Sequence, residues 1–185
     1  MKPKPLPSAE ELNAALALNP KTGELKWRPR PCVCFKTESA CRAWNKIYPG
    51  RAAGSFHKAR QRRIVVIGNV KYAAHRLIVR MTTGIDPGPL DVDHANRRKA
   101  DDRPDNLRLA TRSQNMANRG ATSSNRSGLK GVAWDDQRGC FIAQITKDGV
   151  NHYLGGFPTA SEAHAAYAKA AAIVYGEFAC ARSPQ

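Results

Sequence analysis

Four residues in the middle of the chain have types and spacings that suit hydrolysis of a phosphodiester bond. Asp93 stands beside His94, Asn106 follows twelve residues after the histidine, and Asn115 comes nine residues later. Such hydrolysis needs a base that takes a proton from water and a hard cation that neutralises charge on the phosphate. We predict that His94 is the base and that the oxygens of Asp93 and Asn115 hold Mg²⁺, with Mn²⁺ as an alternative.

The segments around these residues predict a strand, a long loop, a second strand and a short helix. Residues 90–94 and 107–111 alternate between apolar and polar side chains, as strands do, and a polar loop rich in Arg, Asp and Pro joins them. Ser113 is placed to cap a helix that runs to about residue 118. Such a helix, packed across the strands, would bring Asn115 towards Asp93 and His94.

The upstream sequence predicts a hairpin and two helices. Residues 63–72 carry β-branched side chains on both sides of Gly68-Asn69, a pair that is typical of hairpin turns. Residues 73–83 have one apolar face at helical spacing and end before a glycine. A Pro-rich start is followed by a short helix over about 10–18, so we expect residues 1–20 to be a loose tail.

Positive charge is concentrated in the first two thirds of the chain. The sequence has 30 Lys and Arg against 15 Asp and Glu, a net charge of +15, and no acid lies between Glu38 and Asp86. A charge of this size indicates a polyanionic partner, and nucleic acid is the leading candidate. The predicted DNA contacts in this part are Arg60, Arg62, Arg63, His75, Arg76, Arg97, Arg98, Lys99 and Arg126. For His75 we also consider helix packing and a catalytic role.

Membrane and secretory functions are not expected. The chain has no apolar run near 18 residues, and its N-terminus lacks the apolar region of a secretion signal, so we expect a cytoplasmic protein. In that compartment disulfides are rare, and we predict that the five cysteines are free thiols. Zinc binding by Cys32, Cys34 and Cys41 is the alternative, although a structural zinc site usually has four ligands.

The central motif resembles that of a known nuclease family. Asp93-His94, the run from Asn106 to Leu109, and Asn115 within Ser-Gln-Asn-Met resemble the HNH motif of phage and intron homing endonucleases. The resemblance implies that Asp93 and Asn115 bind a divalent metal, that His94 activates water and that Asn106 braces the loop. It extends upstream through Tyr72-Ala-Ala-His-Arg to cover about residues 23–118. Asn in place of His at the third motif position favours Mg²⁺ or Mn²⁺ over zinc.

The C-terminal third predicts a small sheet packed on a helix. Strand-like segments lie at 129–134, 140–146 and 151–157, with turn residues between them. Thr159-Ala-Ser-Glu162 is a capping-box pattern, and an apolar stripe follows it as far as Gly176. The strand period places Phe141, Ala143 and Ile145 on the helix side of the sheet.

This segment resembles the ethylene-response-factor type of plant DNA-binding domain, which also occurs fused to phage HNH nucleases. The resemblance implies that the outer face of the sheet contacts a major groove. Thr146, Asn151 and Tyr153 replace Arg and Trp of the plant domain, so we expect low affinity from this module alone. We interpret Trp134 as a core residue, with base contact as the alternative. The predicted contacts are Lys130, Arg138, Gln144, Lys147, Asn151 and Tyr153.

Together these features predict an α+β protein with a ββα-metal nuclease domain followed by a three-stranded antiparallel sheet on one helix. The domain bounds would be a tail at 1–20, a nuclease domain at 21–118, a linker at 119–127 and a DNA-binding domain at 128–185. The expected function is metal-dependent, homing-type cleavage of double-stranded DNA by a monomer, in the host cytoplasm if a phage encodes it. The alternatives are a non-catalytic DNA-binding regulator and a basic RNA-binding protein, which would show exposed aromatics on a sheet.

Overall fold

The computed structural model describes residues 5–122 and 124–180. The chain divides into two compact units, Met1–Leu109 and Ala110–Gln185. The architecture mixes helices with small antiparallel sheets, in agreement with the predicted α+β class. The linker predicted at 119–127 and the domain bounds that depend on it stay predictions.

The first unit begins with a helix and a two-stranded sheet. Helix α1 (Ala9–Ala15) starts at a capping box in which Ser8 Oγ accepts from the Glu11 amide and Glu11 accepts from the Ser8 amide. The helix ends before the predicted residue 18, because the chain enters β1 (Leu16–Asn19), which pairs antiparallel with β2 (Glu24–Trp27). Leu12, Leu16 and Leu25 are fully buried, so this segment is part of the core rather than a loose tail.

A disulfide links the next helix to the segment before it. Helix α2 (Glu38–Ile47) carries Cys41, which is bonded to Cys32 with a Cα–Cα distance of 5.2 Å. The prediction of free thiols is wrong for this pair and holds for Cys34, Cys140 and Cys180. The prediction rested on the compartment, whereas the pairing follows from the turn that folds α2 back onto Cys32. No zinc ligand set forms around the disulfide in the described part of the chain.

The basic middle of the chain forms a three-stranded sheet and a helix. β3 (Ser55–His57), β4 (Arg62–Ile67) and β5 (Val70–Ala73) pair antiparallel in this order, with Gly68-Asn69 at the β4–β5 turn. Helix α3 (Ala74–Thr83) follows at once and buries Leu77 and Ile78. The predicted hairpin and helix are both confirmed.

The motif segment forms a two-stranded sheet followed by a short helix. β6 (Asp91–His94) pairs with β7 (Leu107–Ala110), as predicted. Helix α4 (Arg112–Ala117) is capped by Thr111, which exchanges bonds with Gln114, so the prediction of Ser113 as the cap is wrong by two residues. α4 belongs to the second unit, and the ββα arrangement of this helix with β6 and β7 stays a prediction.

The second unit contains the predicted three-stranded sheet and helix. β8 (Val132–Asp135), β9 (Cys140–Lys147) and β10 (Val150–Phe157) form an antiparallel sheet with β9 in the centre, and α5 (Ala160–Tyr175) packs on it. Ala143 and Ile145 are buried on the helix side, as the strand period predicted.

The interpretation of Trp134 as a core residue is wrong, because 49% of its surface is exposed. Its ring packs edge-on against Phe141 with 4.8 Å between centroids, and its Nε1 donates to Asp136. The side chain lies near the end of β8, where the helix-side core no longer covers it.

We expect Gly131→Ala to destabilise the second unit by about 3 kcal/mol. Gly131 has φ +76°, and a Cβ there would lie 2.0 Å from Cδ2 of Tyr167, which is buried in the core. The cost combines the left-handed backbone with overpacking. Gly128→Ala is the matched control, since its φ is +67° and a Cβ would meet no atom within 4 Å. Urea unfolding followed by tryptophan fluorescence measures the free energy of unfolding of both variants. Equal losses would show that the contact with Tyr167 adds nothing.

Candidate active site

The Asp93 and His94 side chains are neighbours on β6 with different surroundings. Both are buried, with exposures of 5% and 7%. Successive side chains of a strand point to opposite faces, so the two residues meet different partners. Asp93 Oδ2 accepts from Arg108 Nε at 2.9 Å, and His94 Nε2 lies 2.9 Å from Asp102 Oδ1. Neither partner is predicted from the sequence.

The contact with Asp102 determines how His94 can act as a base. Asp102 is itself buried, and its carboxylate accepts a hydrogen bond from the Nε2–H of the ring. In that tautomer Nδ1 carries the lone pair that can accept a proton. A carboxylate behind an imidazole fixes the ring and stabilises the imidazolium that forms when the ring takes a proton. Asp102 is therefore placed to orient the His94 ring.

Asn106 joins the two ends of the loop between β6 and β7. Its Oδ1 accepts from the Asn96 amide at 2.9 Å, its Nδ2 donates to the Asp101 carbonyl at 2.7 Å, and its own carbonyl accepts from the Ala95 amide at 2.9 Å. The side chain is buried. These bonds are of the kind that a brace requires, while any part in catalysis stays a prediction.

Asp101 adds a second set of bonds within the same loop. It holds Arg103 through two side-chain bonds and accepts a third from Asn96 Nδ2. The Arg103 bonds are the main reason why the pKa of Asp101 lies well below its ordinary value.

The turn between β1 and β2 presses against the same part of the loop. A Cβ on Gly23 would lie 2.3 Å from the Asp102 carbonyl carbon. Only glycine allows this approach, and Gly23 also has φ +71°. Asn106 thus holds the loop at the Asp101 carbonyl, and this turn packs against the backbone of the next residue, Asp102.

His75 extends the site on the side of His94. The two rings meet edge-on with 5.3 Å between centroids, and one ligand atom each from His75, His94 and Asp102 lie within 4.8 Å of one another. Burial is the main cause that lowers the pKa of His75 to about 3, and the nearby His94, Arg62 and Arg76 lower it further. His75 is 4% exposed, which does not suit the predicted phosphate contact and agrees with the packing alternative.

Some predicted DNA contacts of the first unit are accessible at the surface, and others are bonded within the unit. Arg60, Arg97, Arg98 and Lys99 are exposed, and Arg62 and Arg63 are half-buried. Arg76 instead braces the segment before β6, since its guanidinium donates to the Gly88 and Leu90 carbonyls at 2.8 Å. A shallow groove of about 600 Å³ is lined by Phe56, Lys58, Gln61, Arg97, Arg98, Lys99 and Ala100.

The predicted contacts of the second unit lie mainly on exposed surface. Gln144, Asn151 and Tyr153 are on the sheet face opposite α5, where Asn151 Nδ2 donates to Gln144 Oε1 at 2.8 Å. Arg138 lies 5.5 Å from the centroid of the Tyr153 ring. Arg126 and Lys147 are also exposed.

Two predicted site residues of the second unit are on or bonded to α4. Lys130 Nζ donates to the carbonyls of Met116, Ala117 and Arg119 at the end of this helix, so we leave Lys130 out of the proposed DNA surface. Asn115 lies on α4 itself. Its role as a metal ligand stays a prediction.

The segment that contains the motif matches a known protein family. Residues 72–117 match the model of the HNH endonuclease family, a span that includes Asp93, His94, Asp102, Asn106 and Asn115. The chain carries an HNH endonuclease domain. The matched segment begins in the β4–β5 hairpin and ends with α4, so it contains every candidate active-site residue described above.

Two viral proteins are similar to this chain. An uncharacterized HNH endonuclease of Acanthamoeba polyphaga mimivirus is 34% identical over 110 residues, which are 59% of this chain and 56% of that protein. Protein 3.8 of Escherichia phage T7 is 38% identical over 61 residues, 33% of this chain and 50% of that protein. The chain thus spans about half the length of these curated relatives. No solved structure matches it.

We expect Asn106→Ala to lower the free energy of unfolding by about 1–3 kcal/mol, because two partly buried backbone hydrogen bonds lose their side-chain partner. Asn106→Asp keeps an acceptor for the Asn96 amide but no donor for the Asp101 carbonyl, so its loss should be smaller. Hydrogen exchange at the Asn96 amide separates the variants, with faster exchange in Asn106→Ala alone. If both exchange like the unmodified protein, Asn106 does not brace the loop.

Proposed function

We propose that the protein is a metal-dependent endonuclease that hydrolyses phosphodiester bonds of double-stranded DNA. The observation that carries the proposal is the buried Asp93-His94 pair inside the HNH segment, with the carboxylate of Asp102 bonded to the His94 ring. A histidine fixed by a carboxylate, beside a separate carboxylate, provides a base and a cation ligand on adjacent residues. A purely DNA-binding protein would not need this arrangement.

In this proposal His94 takes the proton from the attacking water. The bond from Nε2–H to Asp102 leaves Nδ1 as the accepting atom, and the imidazolium that results is stabilised by the same carboxylate. Asp102 acts through His94 and is a positioning residue. Asn106 is also a positioning residue, because it holds the loop that carries Asp102, and Asp102 in turn orients His94.

Asp93 is suited to hold a hard divalent cation. Its carboxylate is buried and paired with Arg108, and carboxylate oxygens are ligands that hard cations prefer. Asp93 and Asn115 would hold Mg²⁺ or Mn²⁺, and the cation, when bound, would neutralise charge on the scissile phosphate and the leaving oxygen. Arg108 keeps the carboxylate oriented before the cation and DNA arrive.

The basic groove of the first unit is the proposed phosphate grip. Lys58, Arg97, Arg98 and Lys99 line it together with the half-exposed ring of Phe56. Arg97, Arg98 and Lys99 lie on the loop that also carries Asp102. Phosphates bound in this groove would therefore contact the same loop that orients His94. Contacts of this kind fix position on the duplex without reading its sequence.

The outer sheet face of the second unit is proposed to add sequence preference, as in the ethylene-response-factor type of domain. Gln144 and Asn151 present amide donors and acceptors there, and Tyr153 with Arg138 forms a flat cationic edge beside them. Amide side chains are suited to base edges in the major groove. On its other face the sheet packs on a buried cluster that includes Ile145 and Tyr167, so it can present the outer face rigidly.

We propose further that the protein is a monomeric, homing-type nuclease that acts in the cytoplasm of a host cell. The viral origin of both relatives supports this setting. No helix in the described residues is long and apolar enough to cross a membrane.

We expect His94→Ala to reduce cleavage of supercoiled plasmid in Mg²⁺ by at least about 100-fold, because general bases typically contribute this much. Asp102→Asn keeps a bonding partner for the ring but removes the negative charge, so the loss should be smaller and should fall on kcat rather than KM. Plasmid affinity, measured with EDTA present, should be unchanged in both variants. Cleavage that persists in His94→Ala or in EDTA would contradict the proposed mechanism.

We expect Arg60→Ala combined with Arg63→Ala to reduce the slope of log K against log salt for duplex binding by about 2, since each phosphate contact contributes about 0.9. Arg62 is left intact because its Nε is buried. Lys169→Ala is the control, as it removes an exposed charge from α5, away from the outer sheet face. An unchanged slope in the double variant would remove Arg60 and Arg63 from the proposed phosphate contacts.

A further inference from the structure

The cluster of His75, His94 and Asp102 has a composition that the proposed cleavage reaction does not require. That reaction uses His94 and Asp102, while His75 has no part in it. Yet His75 is 4% exposed, and its Nδ1 is buried with no hydrogen-bond partner in the described part of the chain. A buried polar atom without a partner costs free energy, and such atoms are often ligands.

The arrangement of the three side chains suits a transition-metal ion. One ligand atom from each lies within 4.8 Å of the others, and His94 Nε2 lies 2.9 Å from Asp102 Oδ1. Ligands about 2.0–2.1 Å from a tetrahedral ion stand about 3.4 Å from one another. Small side-chain rotations would therefore bring all three to an ion, with its fourth position open.

The chemistry of these ligands differs from that of the proposed cleavage metal. Two imidazoles and one carboxylate favour zinc, cobalt or nickel, whereas carboxylate and amide oxygens alone favour Mg²⁺. The two sites share no ligand, because the proposed cleavage metal uses Asp93 and Asn115 and this cluster consists of His75, His94 and Asp102.

We propose that His75, His94 and Asp102 form a binding site for a zinc-like divalent ion that inhibits the protein. The inhibition rests on the proposed function, because the ion takes His94 from its role as the base. The site itself does not depend on that function. Zinc would thus hold the nuclease inactive while leaving its DNA-binding surfaces unchanged.

The first experiment measures the site without reference to cleavage. Tag-free protein in chelator-free buffer is titrated with Zn²⁺ and its melting temperature is followed, and Co²⁺ is used in parallel for its visible absorption. At a zinc concentration about 100 times the Kd, the melting temperature should rise by roughly 5–10 °C. His75→Gln and Asp102→Asn, which keep approximate side-chain size, should lose most of this rise and the cobalt absorption.

The matched controls are His57→Ala and Cys34→Ser. His57 is an exposed histidine of the same unit, and Cys34 is an exposed thiol that can bind zinc by itself. Both controls should retain the full rise. A rise in His75→Gln equal to that of the unmodified protein, or a loss in either control, would overturn the site.

The second experiment tests inhibition in plasmid cleavage at saturating Mg²⁺. The Zn²⁺ concentration for half-inhibition, taken relative to each variant's own uninhibited rate, should rise at least about tenfold in His75→Gln and stay constant in the controls. A melting shift that depends on His75, without zinc inhibition, would overturn the inhibitory role. If the unmodified protein cleaves no DNA but shows the His75-dependent shift, the proposed function fails and the metal site stands.

Discussion

The bonds of Asn106 hold the loop that the candidate active site depends on. Its side chain accepts from Asn96 and donates to Asp101, so the polar segment after β6 closes on itself before β7 begins. This closure brings Asp102 to the ring of His94. It also leaves Arg97, Arg98 and Lys99 exposed along one groove. A single amide therefore couples the orientation of the base to the position of three cations, which explains why a residue without chemistry of its own belongs to the motif.

Strand geometry gives two adjacent residues separate tasks. Asp93 meets the guanidinium of Arg108 on one side of β6, and His94 meets Asp102 and His75 on the other. The first environment holds a carboxylate by a guanidinium, and the second holds an imidazole by a carboxylate. This separation lets the proposed base and the proposed metal ligand be neighbours in sequence without pairing with each other. It also creates the cluster that we propose as a zinc site.

The net charge predicts the partner better than it predicts the contacts. Arg76 and Lys130 both count towards the excess of basic residues, yet they donate to backbone carbonyls that brace the segment before β6 and the end of α4. His75 lies in the interior. Arg98 and Lys99, on the loop after β6, are exposed. Local hydrogen-bond demand thus separates structural cations from those available to DNA.

The sequence by itself determined the elements and the motif. Apolar periodicity predicted α3, the β4–β5 hairpin and the sheet of the second unit, and the spacing of Asp93, His94, Asn106 and Asn115 predicted the HNH domain, because both signals depend on near neighbours in the chain. Only the tertiary structure decided which side chains meet: Asp102 with His94, Arg108 with Asp93, and Cys41 with Cys32. It also decided that Trp134 is exposed. These depend on how a loop closes, how a helix folds back or where a sheet ends, and no local pattern records such long-range contacts.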